Sequence, residues 1–276
     1  MNTILAKKQL SADVYEMLIQ APLIAQSRQA GQFLLLSLDN EYAERIPLTI
    51  ADADPDAGTV TIVFQVAGAT THKLARKNAG QYLENVLGPL GNPTHIKHFG
   101  SVVCVGGGIG AAPLFPIVQA MKSAGNRVTV IIGARNRDLI IFEERIRRFA
   151  DEFIIVTDDG SVGRKALVTE PLKEICAAVD KPDMTVAIGP PLMMKFCVSV
   201  AKEYTVPIMV SLNTIMLDGT GMCGCCRVKI GNDTRFVCVD GPEFDGCQVD
   251  FDSMMNRMKT YRNHEQAVYH RCKLTG

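Results

Sequence analysis

The residues with the clearest chemistry lie between positions 218 and 238. Asp218 is followed by Gly-Thr-Gly-Met and then by Cys223 and Cys226, and Cys238 lies further along the chain. Plant-type [2Fe–2S] proteins use the spacing C-x4-C-x2-C with a distant fourth cysteine. Here a carboxylate stands in the first position of that spacing. The pattern therefore predicts a [2Fe–2S] site whose ligands are Asp218, Cys223, Cys226 and Cys238.

The cysteine pattern leaves two alternatives open. Three thiols and a carboxylate could hold a structural zinc ion, although zinc ribbons usually have two C-x2-C pairs and this chain has one. The thiols could also be ordinary buried side chains. Cys225 lies between two predicted ligands and is expected to point away from them. Cys104, Cys176 and Cys197 lie in apolar sequence and are expected in the core.

The composition excludes several classes of protein. The 276 residues include 29 Lys and Arg and 29 Asp and Glu, and this balance argues against nucleic acid or an anionic membrane as the main partner. The first residues do not resemble a signal peptide, and the apolar runs are too short to span a bilayer. Nine cysteines without a secretion signal indicate a reducing compartment. We therefore expect a cytoplasmic protein.

Residues 1–97 consist mostly of short apolar runs separated by turn residues. The strand-like runs are residues 33–38, 45–50 and 59–66. A hairpin-type turn separates the last two, and residues 71–76 form the one helix-compatible segment. Strands at this spacing predict an antiparallel β-barrel domain.

Residues 98–210 show a different pattern, in which strands alternate with helices. The predicted strands are residues 102–105, 127–133, 153–157 and 184–188, and the predicted helices are residues 114–124, 139–149 and 165–178. This alternation predicts a parallel, doubly wound α/β sheet. Residues 211–276 are predicted to form a third, iron–sulfur module, with a strand at 234–239 and a C-terminal helix at 251–262.

A glycine-rich turn begins the second domain. Gly106-x-Gly108-x-x-Ala111 follows a predicted strand and opens a predicted helix, which is the context of a dinucleotide-binding turn. A tight turn without a ligand is the alternative. The next strand ends in Gly-Ala-Arg135 and lacks the acidic residue that holds the adenosine ribose in a standard Rossmann site. We therefore expect a nicotinamide nucleotide that binds in a related but different manner.

Other polar and glycine-rich segments lie at predicted strand ends. Arg45 could neutralise a pyrophosphate, and Thr49 could hydrogen-bond a flavin ring, but a surface ion pair is an equal explanation for Arg45. Asp158 or Asp159, after the strand at 153–157, would favour NAD over NADP, unless it belongs to a solvated turn. Gly189-Pro-Pro is a similar turn, placed where a nicotinamide ring could lie.

The order of these segments resembles a known superfamily. Arg45-x-Pro-Leu-Thr49, then Gly106-Gly-Gly-Ile-Gly110, then the cysteine segment look like the ferredoxin–NADP reductase superfamily. Within it, the chain resembles the electron-transfer subunit of dihydroorotate dehydrogenase B along nearly its whole length. That group uses four cysteines. The combination of Asp218 with three cysteines is similar to the small subunits of NADH-dependent ferredoxin:NADP oxidoreductases, also known as sulfide dehydrogenase beta subunits.

The resemblance implies three cofactors and a partner. It implies FAD in the barrel domain, NAD(H) in the α/β domain, a [2Fe–2S] cluster in the third module, and a larger subunit with a second flavin and [4Fe–4S] clusters, where electron bifurcation occurs. The implied FAD contacts are Arg45, Pro47, Leu48, Thr49, Gly68, Thr70 and Thr71. The implied or candidate nucleotide contacts are Gly107, Gly108, Ile109, Gly110, Arg135, Asp158, Gly189 and Pro190.

The resemblance leaves the partner open. An electron-transfer subunit that serves dihydroorotate dehydrogenase or another partner enzyme is the alternative function, and a zinc-stabilised nucleotide-binding protein is a more distant one. Cys225 departs from the family pattern, which usually has a small residue without a thiol at this position. The cofactors perform the hydride and electron transfer, so no catalytic acid or base is expected in this chain.

Overall fold

The structure, a computed structural model, describes residues 2–38 and 44–275. Its first domain is an antiparallel sheet of seven strands in the order β6-β1-β2-β5-β4-β3-β7. The strands are β1 (Asn2–Ser11), β2 (Val14–Gln20), β3 (Phe33–Ser37), β4 (Ile46–Asp54), β5 (Thr59–Gln65), β6 (Tyr82–Leu83) and β7 (Asn85–Leu90). Two short helices, α1 (Pro22–Ser27) and α2 (Ala69–Arg76), flank them.

The strands of the first domain follow the predicted runs. β3 is buried along its whole length, since β4 and β7 pair with its two edges and side chains of the barrel interior cover it. Gly58 has a φ of +65° and closes the turn between β4 and β5, a conformation that glycine adopts without strain. The expected antiparallel, barrel-like domain is confirmed.

The second domain is a parallel sheet in the order β11-β10-β9-β8-β12-β13-β16, in which only β16 runs antiparallel to its neighbour. The strands are β8 (Ser101–Gly107), β9 (Arg127–Ala134), β10 (Glu152–Thr157), β11 (Arg164–Lys165), β12 (Met184–Ile188), β13 (Ile208–Ser211) and β16 (Glu243–Asp245). The helices are α3 (Ala111–Ser123), α4 (Glu143–Arg147), α5 (Thr169–Ala177) and α6 (Pro191–Tyr204). Residues 102–105 of β8 are buried, as expected for a strand with helices on both faces.

The strand order creates a switch point between β8 and β12. The chain leaves β8 toward β9 on one side and later returns to β12 on the other side, so their carboxyl ends leave a crevice, which is where ligands bind in such sheets. Helix α3 packs against β4 of the first domain and brings this crevice to face the barrel.

The third module contains a hairpin and three helices. Its elements are β14 (Arg227–Ile230), β15 (Asp233–Phe236), α7 (Val237–Asp240), α8 (Phe251–Met258) and α9 (Arg262–Thr275). After α7 the chain enters β16, which pairs with β13 and adds an antiparallel edge strand to the second sheet. The segment that carries the predicted cluster ligands is therefore held to the parallel sheet at both ends.

Several element boundaries differ from those predicted. The strand expected at 234–239 ends at Phe236, and Cys238 lies in the helical turn α7. The helix expected at 139–149 is a 3-10 turn at Arg137–Leu139 and a short α4, because Phe142 has a φ of +61° and interrupts the helix. The tail forms two helices, and in the described part of the chain no helix is long and apolar enough to cross a membrane.

Candidate functional site

A cleft of about 1080 Å³ lies between the barrel and the carboxyl edge of the parallel sheet. Its lining is mainly apolar, with a few polar side chains, as in most small-molecule and cofactor sites. The sequence-predicted residues that line it are Pro47, Leu48, Thr49, Thr71, Gly107, Gly108, Ile109, Gly110, Arg135, Asp158, Gly189 and Pro190. Candidate residues from both domains therefore meet in one cavity.

The barrel side of the cleft is built on β3 and β4. Thr49 pairs with Phe33 across these strands, and both residues line the cleft. The N-terminus of α2 lies at the end of this wall, where the Thr71 hydroxyl accepts hydrogen bonds from the backbone N–H groups of Ala67 and Gly68 and donates one to the Gly68 carbonyl. The Thr71 hydroxyl thus stabilises the start of the helix.

Three of the proposed flavin contacts lie outside the cleft lining. Arg45 is exposed and precedes β4, and Gly68 lies at the N-cap of α2. Thr70 donates a hydrogen bond to Glu44. A Cβ atom on Gly68 would meet no atom within 4 Å, so this position is open to a ligand that approaches the helix N-terminus. All three remain predictions.

Two positions of the turn after β8 have room for glycine only. A Cβ atom on Gly110 would lie 2.3 Å from the Ile188 carbonyl oxygen, and one on Gly107 would lie 2.2 Å from Met193 Sδ. Gly108 has a φ of +56°, which favours glycine, and its missing Cβ faces open space. Helix α3 begins directly afterwards, and no side chain caps its N-terminus. The turn and the start of α3 therefore lie where a phosphate could approach a helix N-terminus that no side chain caps.

Arg135 and Asp158 lie side by side at the ends of β9 and β10. The Asp158 N–H donates to the Ala134 carbonyl (3.1 Å), and both Arg135 and Asp158 line the cleft. Asp159 instead accepts a hydrogen bond from the Ser161 N–H (2.9 Å), and the hydrogen bonds from Ser161 lower its pKa. Of the two acidic residues that the sequence offered, Asp158 is the one that faces the cleft.

The four predicted cluster ligands lie in two pairs. Cys226 Sγ and Cys238 Sγ are 3.3 Å apart and buried, and the Cys238 N–H donates to Cys226 Sγ. Asp218 accepts hydrogen bonds from the N–H groups of Thr220 (2.7 Å) and Cys223 (2.7 Å), so its carboxylate lies beside the start of the C-x2-C segment. Ligands in pairs suit a cluster with two iron atoms.

Without a bound metal, the Cys238 thiol is protonated at neutral pH. Burial and the neighbouring Cys226 thiol raise the pKa of Cys238 to about 12. Because iron and zinc bind thiolates, a metal would have to supply the charge that offsets this burial. In residues 2–38 and 44–275, no three His, Cys, Asp or Glu side chains are gathered around one point as a single metal ion would require.

Cys225 does not point away from the predicted ligands. Burial and a contact with the Cys223 thiol raise the pKa of Cys225, so its side chain lies beside that ligand. Arg257 of α8 donates a hydrogen bond to the Cys225 carbonyl (3.1 Å), which fixes the backbone here. Three other cysteines are buried as expected: Cys104, Cys176 and Cys197.

The cluster segment packs against β3 and β7 of the barrel and reaches the cleft. Gly219, with a φ of +75°, packs so closely that a Cβ atom there would lie 2.7 Å from Leu35 Cδ1 and 2.8 Å from Leu90 Cδ1. Met216 and Pro242, at the two ends of the cluster segment, line the cleft. The cluster segment is therefore in contact with the wall of the cavity.

An ion pair joins the two domains beside the cleft. Arg145 of α4 donates to Glu16 of β2 through Nη1–Oε2 (2.5 Å) and Nη2–Oε1 (3.0 Å), and its guanidinium lies over the Phe142 ring. Leu139 and Ile141, just before this segment, line the cleft. The ion pair thus holds one wall of the cleft against the barrel.

Some site residues carried no usable signal in the sequence. Phe33, Ser211, Asn213 and Met216 all line the cleft, but each is an ordinary residue in an apolar or mixed segment. Phe33 lies on β3 and Ser211 ends β13, and only the tertiary structure brings these residues and the chain after β13 to one cavity. Pro242 follows the last predicted ligand closely, and the sequence did not indicate that it returns to the cleft.

Comparisons with known proteins agree with this arrangement. Residues 213–250 match the iron–sulfur cluster binding domain of dihydroorotate dehydrogenase B. The Thermotoga maritima protein described as a dihydroorotate dehydrogenase B (NAD(+)) electron transfer subunit homolog is 45% identical over 271 residues, which cover 98% of this chain and 95% of that protein. The corresponding electron transfer subunit of Desulforamulus reducens is 35% identical, with 89% and 96% of the two chains covered.

Solved structures give the same relationship. A chain of the NADH-dependent reduced ferredoxin-NADP oxidoreductase, studied for flavin-based electron bifurcation, matches with a TM-score of 0.93 and 44% identity, and 98% of this chain and 97% of that chain are covered. A Neisseria gonorrhoeae ferredoxin NADP+ reductase with bound FAD and NADP shares the fold at 19% identity, with a TM-score of 0.62 and coverage of 74% and 90%. The chain belongs to the family of dihydroorotate dehydrogenase B electron transfer subunits and their homologues.

Proposed function

We propose that this chain passes electrons between NAD(H), FAD and a [2Fe–2S] cluster, to or from a larger subunit with a second flavin and [4Fe–4S] clusters. One observation carries this proposal. The flavin-type segment of β4 and the glycine turn after β8 face each other across a single cleft, and the cluster segment packs against the wall of that cleft. Such an arrangement would allow three redox groups to follow one another without an intervening domain.

The barrel wall is the proposed FAD site. Pro47, Leu48 and Thr49 would present a flat apolar surface and one hydroxyl to the flavin ring, while Arg45 and the N-terminus of α2 would bind its diphosphate. Gly68, Thr70 and Thr71 belong to this second part. A bound flavin would supply the exchange between two-electron hydride chemistry and one-electron transfer.

The opposite wall is the proposed NAD(H) site. Gly107 to Gly110 and the uncapped start of α3 would bind the nucleotide phosphates through backbone N–H groups. The Asp158 carboxylate would accept hydrogen bonds from an adenosine ribose and repel the additional phosphate of NADP. Gly189 and Pro190, at the end of β12, line the part of the cleft where the nicotinamide would reach the flavin.

Asp218, Cys223, Cys226 and Cys238 are the proposed cluster ligands. Three glycines of this loop have positive φ values, namely Gly219, Gly221 and Gly224, and let the backbone curve closely around a bulky group. A carboxylate is a harder ligand than a thiolate, so Asp218 is expected to set the reduction potential of the nearer iron atom.

We also propose a cytoplasmic location, which the nine free thiols support.

Two kinds of partner fit this chain. Similarity over nearly the whole chain to a subunit of the NADH-dependent reduced ferredoxin-NADP oxidoreductase favours an electron-bifurcating complex. The carboxylate at position 218 agrees with this choice. The names of the curated relatives favour the alternative, in which the chain serves a dihydroorotate dehydrogenase.

An anaerobic visible spectrum with iron and sulfide analysis tests the proposal. We expect flavin absorption, about two iron atoms per chain, and bleaching by NADH that is much stronger than bleaching by NADPH. A colourless protein that contains zinc would contradict the proposed function.

The Asp218→Cys variant tests whether Asp218 is a cluster ligand. If it is, the electron paramagnetic resonance signal and the midpoint potential of the cluster should change. An unchanged signal and potential would remove Asp218 from the ligand set.

A further inference from the structure

Glu243 is an acid with a shielded carboxyl group at the junction of all three modules. It lies on β16, directly after the cleft residue Pro242 and opposite the cleft residue Ser211 of β13. Its Oε1 accepts a hydrogen bond from the hydroxyl of Thr94 (2.8 Å), which belongs to the segment between the two domains. Its Oε2 is shielded from solvent and has no hydrogen-bond partner among the described residues.

The surrounding backbone is built to hold this pair. Gly31 has a φ of +85°, and a Cβ atom on it would lie 2.2 Å from Thr94 Oγ1 and 3.0 Å from Glu243 Oε1. The Thr94 N–H donates to the Ala30 carbonyl (2.8 Å), so the barrel fixes the threonine. In the same segment, Asn92 donates its backbone N–H to the Gly241 carbonyl (2.7 Å) and its side-chain amide to the Val239 carbonyl (3.1 Å). The interdomain segment is thereby bonded to the chain that runs from Cys238 to Glu243.

The carboxyl lacks a compensating charge. Burial raises the pKa of Glu243 to about 7, and the hydrogen bond from Thr94 opposes this shift. On β8, the Cys104 thiol is the titratable group that interacts with the Glu243 carboxyl. Burial raises the pKa of Cys104 to about 12, so this thiol stays protonated. β13 and the segments 29–33 and 91–94 contain no ionisable residue, and Asp245 on the same strand is exposed. The charge of Glu243 is therefore free to respond to charge in the cleft.

We propose that Glu243 is a proton-binding positioning residue of the electron-transfer chain, which takes up a proton when the adjacent cleft gains negative charge and releases it when that charge leaves. This inference rests on the proposed function, because reduced nicotinamide is the source of the electrons. When the cleft gains one negative charge, one proton moves from water to the Glu243 carboxylate, and the loss of that charge returns the proton to water. Thr94 orients the carboxyl and sets its proton affinity.

The physical reason is the low polarity of the junction. Two negative charges in an apolar environment repel each other strongly, so reduction of a cofactor in the cleft raises the proton affinity of a carboxylate beside it. The same coupling acts in reverse: a protonated Glu243 makes the cofactor easier to reduce than an ionised one. The electron affinity of the chain should then depend on pH through this residue.

The test is the pH dependence of the flavin midpoint potential in the full-length protein loaded with its cofactors. The variants are Glu243→Gln, which keeps the size and cannot ionise, and Glu84→Gln, which removes an exposed acid of the barrel as a control. Between pH 6 and 9 we expect the wild-type and control potentials to fall more steeply with pH than the Glu243→Gln potential. An infrared difference spectrum of reduced minus oxidised protein should contain a protonated-carboxyl band that Glu243→Gln lacks.

A second variant separates this role from a structural one. Thr94→Val removes the hydroxyl that donates to Glu243 and leaves the carboxyl in place. Because this hydrogen bond lowers the pKa of Glu243, its loss should move the one-proton step in the potential to higher pH. Glu243→Gln should instead abolish the step. Equal slopes in wild type and Glu243→Gln, or a Thr94→Val step at unchanged pH, would overturn the inference and leave the proposed function intact. A chain that binds no flavin would contradict the proposed function itself, which the spectrum before titration reveals.

Discussion

The buried carboxyl of Glu243 makes a quantitative prediction for stability. Its pKa rises from 4.5 to about 7 in the folded chain, since burial disfavours the ionised form. Because the folded state then binds more protons than the unfolded state between these two values, the free energy of unfolding must fall as the pH rises through this window. Below pH 4.5 the residue is protonated in both states and costs nothing.

The size of the effect follows from the shift. At about 1.36 kcal/mol for each pKa unit, the full penalty above pH 7 is about 3.4 kcal/mol, of which about 2.5 kcal/mol develops between pH 5 and pH 8. Glu243→Gln cannot ionise and should lack this loss. For a chain of this size the wild type should lose roughly 5 °C more in Tm than the variant over the same pH range.

Calorimetry of both proteins from pH 5 to pH 8, at equal cofactor loading and scan rate, measures the difference directly. Subtraction of the variant curve from the wild-type curve removes the contributions of all other ionisable groups. A difference that is flat or increases with pH would refute the reasoning, since it would mean that Glu243 is ionised without cost in the folded chain. Glu84→Gln should follow the wild type.

Three further experiments test the site. Glu16→Gln and Arg145→Gln, made singly and together, should reveal a coupling of about 1 kcal/mol between these side chains in urea unfolding, whereas additive effects would show that the ion pair contributes nothing. Gly110→Ala places a Cβ atom 2.3 Å from the Ile188 carbonyl oxygen. We therefore expect the free energy of unfolding to fall by about 1–3 kcal/mol and NADH binding, measured by fluorescence titration, to weaken. Unchanged binding would show that the turn tolerates a side chain. Asp158→Ala removes a negative charge that would repel the additional phosphate of NADPH at the proposed ribose site. For a repulsion of about 1 kcal/mol, the ratio of kcat/KM for NADPH to kcat/KM for NADH should rise roughly fivefold in steady-state kinetics. An unchanged ratio would exclude Asp158 as the residue that selects NADH.

The elements that were predicted correctly are determined by residues close together in the sequence. The glycine turn at 106–110, the alternation of strands and helices after it, and the apolar runs of the barrel are local patterns, so the fold class followed from them. The predictions failed where tertiary packing decided the backbone. Phe142 adopts a left-handed conformation and splits a predicted helix, and Cys238 lies in α7 because the strand before it ends at Phe236.

The cysteine spacing and the order of the flavin, nucleotide and cluster segments were properties of the sequence alone, because spacing fixes which side chains can reach one group. The tertiary structure decided how these segments meet. It brings Thr49 and Asp158 into one cleft and folds β16 back onto β13. It also joins Thr94 to Glu243, which are 149 residues apart. No local pattern indicates such a contact, since the burial that makes Glu243 a proton-binding group exists only after three separate modules have packed together.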